Sequence, residues 1–587
     1  MEAQLDARLA STFVDVVQRQ ADVHGDREAF SYIRDMSDGQ ITDSLSYREL
    51  DAQARVVAGW LTKQGGSSGD RVLLCFPPGL DFIVGFFGCL YAGMVAVPAP
   101  MPEGFSSAED RVGKIVRDAG INLALSDANG APRLERWIAD RLGTTLPCGP
   151  VRAMDSALAA SLTVPEISPD TLALLQYTSG STSDPKGVMI THRNLLANMR
   201  LISGCADGGP DSRAFCWLPV IHDMGLIGQV LWMLFIGGCT TLTSPTEFLR
   251  RPYRWLQLLD ELNADFSVAP NFAYDLCVRT VSEDKVPGLD LSRWRVTFNG
   301  AEPVQARSLA KFQEKFGPAG FRAETFLPCY GLAEATLLVT GTAADSRPVI
   351  TTVDAEALAR GEFVPVAAGD GPRELVGSGT VDRSRVRIVD AGTGASLPDA
   401  RVGEVWVRGE SVAQGYWGRP DLNAEVFDQS LDGETGFFRT GDLGVIHDGE
   451  LYITGRLKEV LIIRGRNLYP HDLEQTVRSV DPRLATGAGA VLALDTPEGS
   501  VVVVQEIKPR GLTEDDYHAL AQGIQRTLVR EFSIPLPSVV FVGPGRVRKT
   551  TSGKIQRSLM KQLFVTSELN SLHEELTDAL RAHLKND

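Results

Sequence analysis

No cysteine follows position 329 in this chain of 587 residues, and the eight that occur (75, 89, 148, 205, 216, 239, 277 and 329) form no Cys-x-x-Cys pair. A disulfide framework or a thiolate zinc site is therefore not expected, and a reducing cytoplasm suits the chain. Positive charge is also scarce, with 58 Lys and Arg against 74 Asp and Glu and a net charge of −16. Nucleic acid would be repelled on approach, so an anionic ligand must meet a local basic site. The first ten residues are acidic with no apolar core, so no signal peptide is expected. Long apolar runs are nearly absent. Phe82 to Pro102 imitates a membrane span, but glycines at 85, 88 and 93 and prolines at 98, 100 and 102 break it before ~20 clean helical residues accumulate. It reads as a buried helix followed by a core strand, Met94 to Val97, and no transmembrane segment is expected. There is no internal repeat and no low-complexity segment.

What is present is the composition of a soluble globular enzyme, 43% hydrophobic and 22% charged, in a chain too long for one core. Ser46 and Glu49 make a capping box, after which Leu50, Ala54, Val57 and Leu61 share one helical face. Gly65 to Gly69 ends that helix, and Val72 to Phe76 is a fully apolar strand. The alternation of helix, short loop and buried strand continues through residue 300, as in Leu256 to Leu262 before Phe266 to Ala269. It predicts an α/β fold, with a large N-terminal domain of layered, largely parallel sheets. From Val376 to Tyr452, short β-rich runs between Gly and Asp turns predict a β subdomain. A new pattern begins after Arg456-Leu457-Lys458, with strands near 460–463 and 500–507 and helices near 471–480 and 514–531. The expected domains are 1–457 and a smaller, mobile α+β domain, 458–587. Leu569, Leu572, Leu576 and Leu580 make a helical stripe in the tail.

The chain is organised around Tyr177-Thr178-Ser179-Gly180-Ser181-Thr182-Ser183-Asp184-Pro185-Lys186-Gly187-Val188. An apolar strand, Leu172 to Gln176, precedes it and a helix can begin near Asn194, which predicts a strand-to-helix loop. Gly180 and Gly187 let the backbone approach a ligand, the hydroxyls of Thr178, Ser179, Ser181 and Thr182 can bind anionic oxygens, and Lys186 adds a point charge. It is not a P-loop, because Asp-Pro precedes the lysine and Gly-Val follows it.

Other candidates are spread along the chain. Asn299-Gly300-Ala301-Glu302-Pro303 follows an apolar strand, where ligands of α/β sheets gather. In Tyr330-Gly331-Leu332-Ala333-Glu334, the tyrosine could stack on a base, the glycine permits close approach, and Glu334 could hold Mg²⁺. A buried tyrosine beside a surface glutamate would give the same residues. Arg439-Thr440-Gly441-Asp442 offers a carboxylate suited to ribose hydroxyls, although Gly-Asp is also a generic hairpin signal. Arg546 to Lys561 holds six basic residues and no acidic one, which points to an anionic partner or to a solvated basic face.

In order and spacing these motifs resemble the adenylate-forming superfamily across nearly the whole chain, with Ser183 and Ala333 as departures from its usual glycine and threonine. The resemblance implies ATP and Mg²⁺ as cofactors. It places Gly300, Ala301, Glu302, Tyr330 and Gly331 around adenine, Glu334 and Thr178 at Mg²⁺, and Asp442 and Arg456 at the ribose. Ser179 to Thr182 and Lys186 would hold phosphates. Lys554 matches the catalytic lysine, Lys458 the hinge, and His222 a residue lining the acyl and phosphate pockets. Trp217 to Gly228, Tyr330 to Thr336 and an extra segment of about 347–373 are more similar to fatty acyl-AMP ligases than to acyl-CoA synthetases. That branch activates a fatty acid and passes it to the phosphopantetheine of an acyl carrier protein of a polyketide synthase or nonribosomal peptide synthetase. The alternatives are a fatty acyl-CoA synthetase and a non-catalytic nucleotide-binding regulator.

Overall fold

Alternate residues of single strands feed two separate cores. In Arg71–Cys75, Val72 and Leu74 join the central hydrophobic cluster while Leu73 and Cys75 join another. Burial on both faces is what the unbroken apolar sequence demands. The structure is a computed structural model that describes every residue except 1–9, 103–105, 179–184, 368–372, 464–465, 495–499, 533, 551–552 and 585–587.

That strand belongs to a six-stranded sheet, in the order Cys148–Pro150, Leu123–Ser126, Arg71–Cys75, Val95–Ala99, Leu172–Thr178, Lys186–Thr191. All its pairs are parallel except the last. An eight-stranded sheet runs Leu338–Gly341, Phe326–Gly331, Val296–Asn299, Phe266–Ala269, Arg213–Cys216, Cys239–Leu242, Glu28–Ile33, Ile41–Ser46, parallel within and antiparallel at both edges. The central cluster joins the two sheets through the helices Tyr47–Lys63, Asp81–Tyr91 and His192–Ala206. Tyr47–Lys63 carries the expected capping box, worth about 1 kcal/mol, and buries Leu50, Ala54, Val57 and Leu61. The apolar stretch that imitates a membrane span is the buried helix Asp81–Tyr91 followed by Val95–Ala99. No described helix is long and apolar enough to cross a membrane.

Two local expectations are corrected, and one alternative reading falls away. The segment after the serine-rich loop is a strand, Lys186–Thr191, antiparallel to Leu172–Thr178, and the helix starts only at His192. Its other edge is captured by residues 415–417, where Met189 N donates to the Gly415 carbonyl at 2.9 Å and Trp417 N to the Gly187 carbonyl at 2.8 Å. Gly441-Asp442 makes no hairpin. It lies inside the long strand Glu434–His447, where the register against Gly403–Arg408 shifts and Gly441 takes φ +70°, a bulge that redirects the chain. The leucine-striped tail is not one helix either. Ser571–Glu575 pairs with Ser538–Val542, which would otherwise present an open edge, and Leu572 is 38% exposed.

The β subdomain is a five-stranded antiparallel sheet containing Val386–Val389, Gly403–Arg408, Glu434–His447 and Glu450–Arg456. Against it packs the extra segment, in which Ile350–Val353 pairs with Arg373–Val376 and the helix Ala355–Ala359 lies between. Val353, Leu358, Phe363 and Leu375 cluster with Val445 and Tyr452 of the subdomain. Beyond Lys458, the sheet Gly489–Ala493, Val501–Glu506, Ser538–Val542, Ser571–Glu575 carries the helices Pro470–Val480 and Glu514–Phe532 on one face and Arg557–Val565 on the other. Both clusters that sandwich this sheet are built entirely from residues after 460.

Candidate active site

Thr178, His222, Gly300 to Glu302 and Tyr330 stand at or beyond the C-terminal ends of parallel strands, where loops of α/β sheets build sites. Thr178 ends its strand opposite Lys186, so the two flank the serine-rich loop, whose Ser179, Gly180, Ser181 and Thr182 lie outside the described residues. The two sheets are tied at this end by Gln176, which donates from Nε2 to the Ile221 carbonyl at 3.0 Å, beside His222.

Glu334 accepts a hydrogen bond at Oε1 from the Tyr416 hydroxyl at 2.7 Å, and the Lys186 ammonium stands 5.1 Å from the centre of the Tyr416 ring. Desolvation lowers the Lys186 pKa, and nearby Lys458 adds to this, while Glu334 opposes both. Tyr330 is buried and donates from its hydroxyl to Asp442 Oδ2 at 2.8 Å; the other oxygen, Oδ1, meets Arg456 Nε at 3.0 Å. Burial, then the Asp442 carboxylate, pushes the Tyr330 phenol well above its ordinary value. Asp442 and Arg456 are cross-strand partners, so the bulge at Gly441 and the sheet register place the pair together.

Lys554 reaches this cluster from the far end of the chain. Desolvation in the cleft and then Arg456 hold its pKa below the ordinary lysine value, with Asp223, Asp442 and Glu334 acting the other way. The residue as a whole still meets solvent, which tempers that desolvation. His222 Nδ1 lies 2.6 Å from Asp223 Oδ1. Burial raises the Asp223 pKa, but His222, Lys554 and the Met224 amide outweigh it and keep the carboxyl below its usual range. Directly after this turn come one turn of helix and a π-helical stretch, Leu226–Leu231, a rare form that recurs at functional sites.

Ala301 holds the left-handed conformation at φ +66°, strain that a non-glycine residue tolerates only where its surroundings enforce it. Glu302 accepts from Phe272 N at 2.6 Å, and burial raises its pKa against the pull of Arg478 and Lys549 from the C-terminal segment. Gly331 has no substitute, since a Cβ there would lie 1.9 Å from the Leu337 carbonyl oxygen. Lys458 sits in the short 3₁₀ turn Leu457–Glu459. The structure therefore gathers Lys186, Tyr330, Glu334, Asp442, Arg456, Lys458 and Lys554, with Asp223 beside His222 at one end.

Tyr416 was not anticipated, and its only local signal is the run Gly415-Tyr416-Trp417-Gly418, an aromatic pair between glycines. Thr336 was missed too. It is fully buried at φ +69°, unusual for a β-branched residue, and is held by its hydroxyl, which donates to the Ser411 carbonyl at 2.6 Å. No group of three or more His, Cys, Asp or Glu able to hold a metal occurs among the described residues. Glu334 and Thr178 are hard oxygen donors that suit an ion completing its shell with phosphate oxygens, as Mg²⁺ does.

Residues 17–417 match the model of the AMP-binding enzyme family, and residues 458–574 match that of the Disco-interacting protein 2-like AMP domain. The chain is 38% identical to the medium-chain fatty acid (acyl-carrier-protein) ligase JamA of Moorena producens, over 95% of this chain and 96% of that one. It is 36% identical to the long-chain fatty acid AMP ligase FadD26 of Mycobacterium tuberculosis, over 92% and 95% of the two chains. A solved fatty acid AMP ligase from Legionella pneumophila has a TM-score of 0.75 and 34% identity, covering 97% of this chain and 98% of that one. The chain belongs to the AMP-binding enzyme family and, within it, to the fatty acyl-AMP ligases.

Proposed function

We propose that the enzyme joins a fatty acid to the α-phosphate of ATP, releasing pyrophosphate, and then transfers the acyl group from the adenylate to the phosphopantetheine thiol of an acyl carrier protein. The observation that carries the first step is the meeting of Lys554 with Arg456, Asp442, Glu334 and Asp223, groups remote in sequence. A carboxylate attacking a phosphate brings two anions together, and a cation aimed at that point stabilises the charge as it develops. Lys554 fills that role. Asp442 and Arg456 hold the ribose, and the loop residues Ser179 to Thr182 with Lys186 hold the phosphates. Gly300, Ala301, Glu302, Tyr330 and Gly331 enclose adenine, and His222, fixed by Asp223, lines the junction of the acyl and phosphate pockets. Glu334 and Thr178 would hold Mg²⁺, which when bound neutralises phosphate oxygens and withdraws charge from the scissile bond.

The division into domains 1–457 and 458–587, with Lys458 as hinge, is supported by the clusters built only after residue 460 and by the second family match beginning at 458. A carrier protein rather than free CoA is favoured by the extra segment, which packs on the β subdomain and ion-pairs with the C-terminal part through Arg373 and Asp472. Rotating the small domain toward a thiol ligand would break that contact, and a carrier's own protein interface can offset the loss where CoA cannot. A carrier of polyketide or nonribosomal peptide synthesis in the cytoplasm is the partner this reading implies.

The test is incubation with ATP, a panel of fatty acids and either CoA or a phosphopantetheinylated carrier protein. We expect acyl-adenylate with every productive acid and thioester mainly on the carrier. Acyl-CoA made as fast as the adenylate would turn the reading into an acyl-CoA synthetase, and no adenylate with any acid would leave only a nucleotide-binding regulator.

A further inference from the structure

Glu404 is a buried carboxylate, 2% exposed, on Gly403–Arg408, the strand paired with the one that carries Asp442. Its two oxygens meet donors from three residues. Oε1 accepts from the Gly441 amide at 3.1 Å, and Oε2 accepts from Trp406 Nε1 at 3.0 Å and from Arg439 Nε at 3.2 Å. The Arg439 guanidinium also lies over the Trp406 ring at 5.6 Å, which keeps these two donors side by side. An ionised carboxylate only accepts, so a buried one suits a place where every neighbour donates.

What these contacts hold is the bulge at Gly441. Glu404 pairs with Leu443 and Trp406 with Arg439, so Thr440, Gly441 and Asp442 together stand opposite Val405 alone. An excursion of this kind loses its ladder partners and must find others. The Thr440 hydroxyl donates to the Val405 carbonyl at 2.7 Å and accepts from Asp442 N at 3.0 Å. The Gly441 amide, turned out of the ladder at φ +70°, goes to Glu404. The next residue is Asp442, whose carboxylate meets Tyr330 and Arg456. A side chain of the neighbouring strand thus anchors the bulge one residue before the group assigned to the ribose.

We propose that Glu404 is a positioning residue for nucleotide selection. Through the Gly441 amide it sets the Asp442 carboxylate where the ribose hydroxyls donate to it, and the enzyme thereby discriminates against nucleotides that lack them. The inference rests on the reading above that Asp442 holds the ribose. Misplacement of such a group by about 1 Å is enough to forfeit its contribution.

The test compares binding of ATP and of 2′,3′-dideoxy-ATP, measured by calorimetry with Mg²⁺ and without fatty acid, in the wild type and in Glu404→Gln. The amide has the carboxylate's shape but one accepting oxygen. With that oxygen kept by Trp406 and Arg439, its NH₂ faces the Gly441 amide, donor against donor. The wild type should bind ATP about ten- to hundredfold more tightly than the dideoxy analogue. In Glu404→Gln that ratio should fall by about fivefold or more, through weaker ATP binding alone, with the dideoxy analogue and the fatty acid KM unaffected. An unchanged ratio in the variant would overturn the proposal. So would equal weakening of both nucleotides, which marks a merely structural carboxylate. Should Glu404→Gln fail to fold, the ratio in Glu404→Asp decides the matter, because that variant keeps the charge beside Arg439 and falls one methylene short of Gly441. Failure of the ribose reading is distinguishable, since it appears in the wild type as equal binding of the two nucleotides, and it removes this inference with it.

Discussion

Arg373 and Asp472 are ion-paired, Nη1 to Oδ2 at 2.8 Å, between the extra segment and the helix Pro470–Val480, with side chains only 16% and 20% exposed. The same guanidinium lies over the ring of Tyr469 at 4.7 Å. Burial raises the Asp472 pKa, but Arg373 and His471 outweigh it and keep the carboxylate charged. The pair ties the extra segment to the C-terminal part, which carries Lys554.

Arg373→Ala should release this fastening, removing about 1–3 kcal/mol of contact energy. Acyl-CoA formation should then rise while adenylate formation persists, and deleting the segment 347–373 should do the same more strongly. CoA turnover as low in Arg373→Ala as in the wild type would show that the pair does not restrain the acceptor step.

Lys554→Ala should lower the adenylation rate by about 10²–10³ while ATP still binds, because in the proposed role the lysine contributes charge and no part of the nucleotide pocket. Its depressed pKa also sets a sign. The charged form is lost as pH rises through a value below the ordinary lysine range, so the basic limb of the adenylation profile should lie below that range. Pyrophosphate release by Lys554→Ala at near wild-type rate would reject the assignment.

Lys458→Pro tests the hinge. Proline fixes φ in the turn Leu457–Glu459, so a rotation about this residue should be blocked while one resting arrangement survives. Adenylation and thioester transfer should therefore be impaired unequally. Equal losses with the fold retained, measured as separate half-reactions, would count against a hinge here.

His192 predicts an acid limit to stability. Fully buried, it accepts from Phe13 N at Nδ1 at 3.0 Å, and burial lowers its pKa from 6.5 to about 4. The unfolded chain binds this proton below about 6.5 and the folded chain only below about 4, so the contribution is present above the first value and fades as pH falls toward the second. It amounts to roughly 3 kcal/mol. His192→Gln should flatten the dependence of denaturant midpoint on pH across that window. The same slope in variant and wild type would place the acid sensitivity elsewhere.

Much of the molecule is written locally. The capping box at Ser46 and Glu49, the buried helix and strand after Leu80, and the change to β texture after Val376 follow from spacing and residue type, since helix and strand periods act over a few residues. Lys186, Tyr330, Glu334 and Asp442 stood out by residue type within their motifs, whereas His222, Arg456, Lys458 and Lys554 were singled out only by the family resemblance. Tertiary structure decided the rest. Lys186–Thr191 became a strand because residues 415–417, more than two hundred positions away, satisfy its free edge, and Tyr416 thereby arrives between Lys186 and Glu334. The tail became a strand because Ser538–Val542 offered one. Glu404 and Gly441, and likewise Arg373, Tyr469 and Asp472, meet only after sheets and helices have packed. Hydrogen bonds and ion pairs of this kind depend on distance in space, and a single chain read along its length carries no measure of that distance.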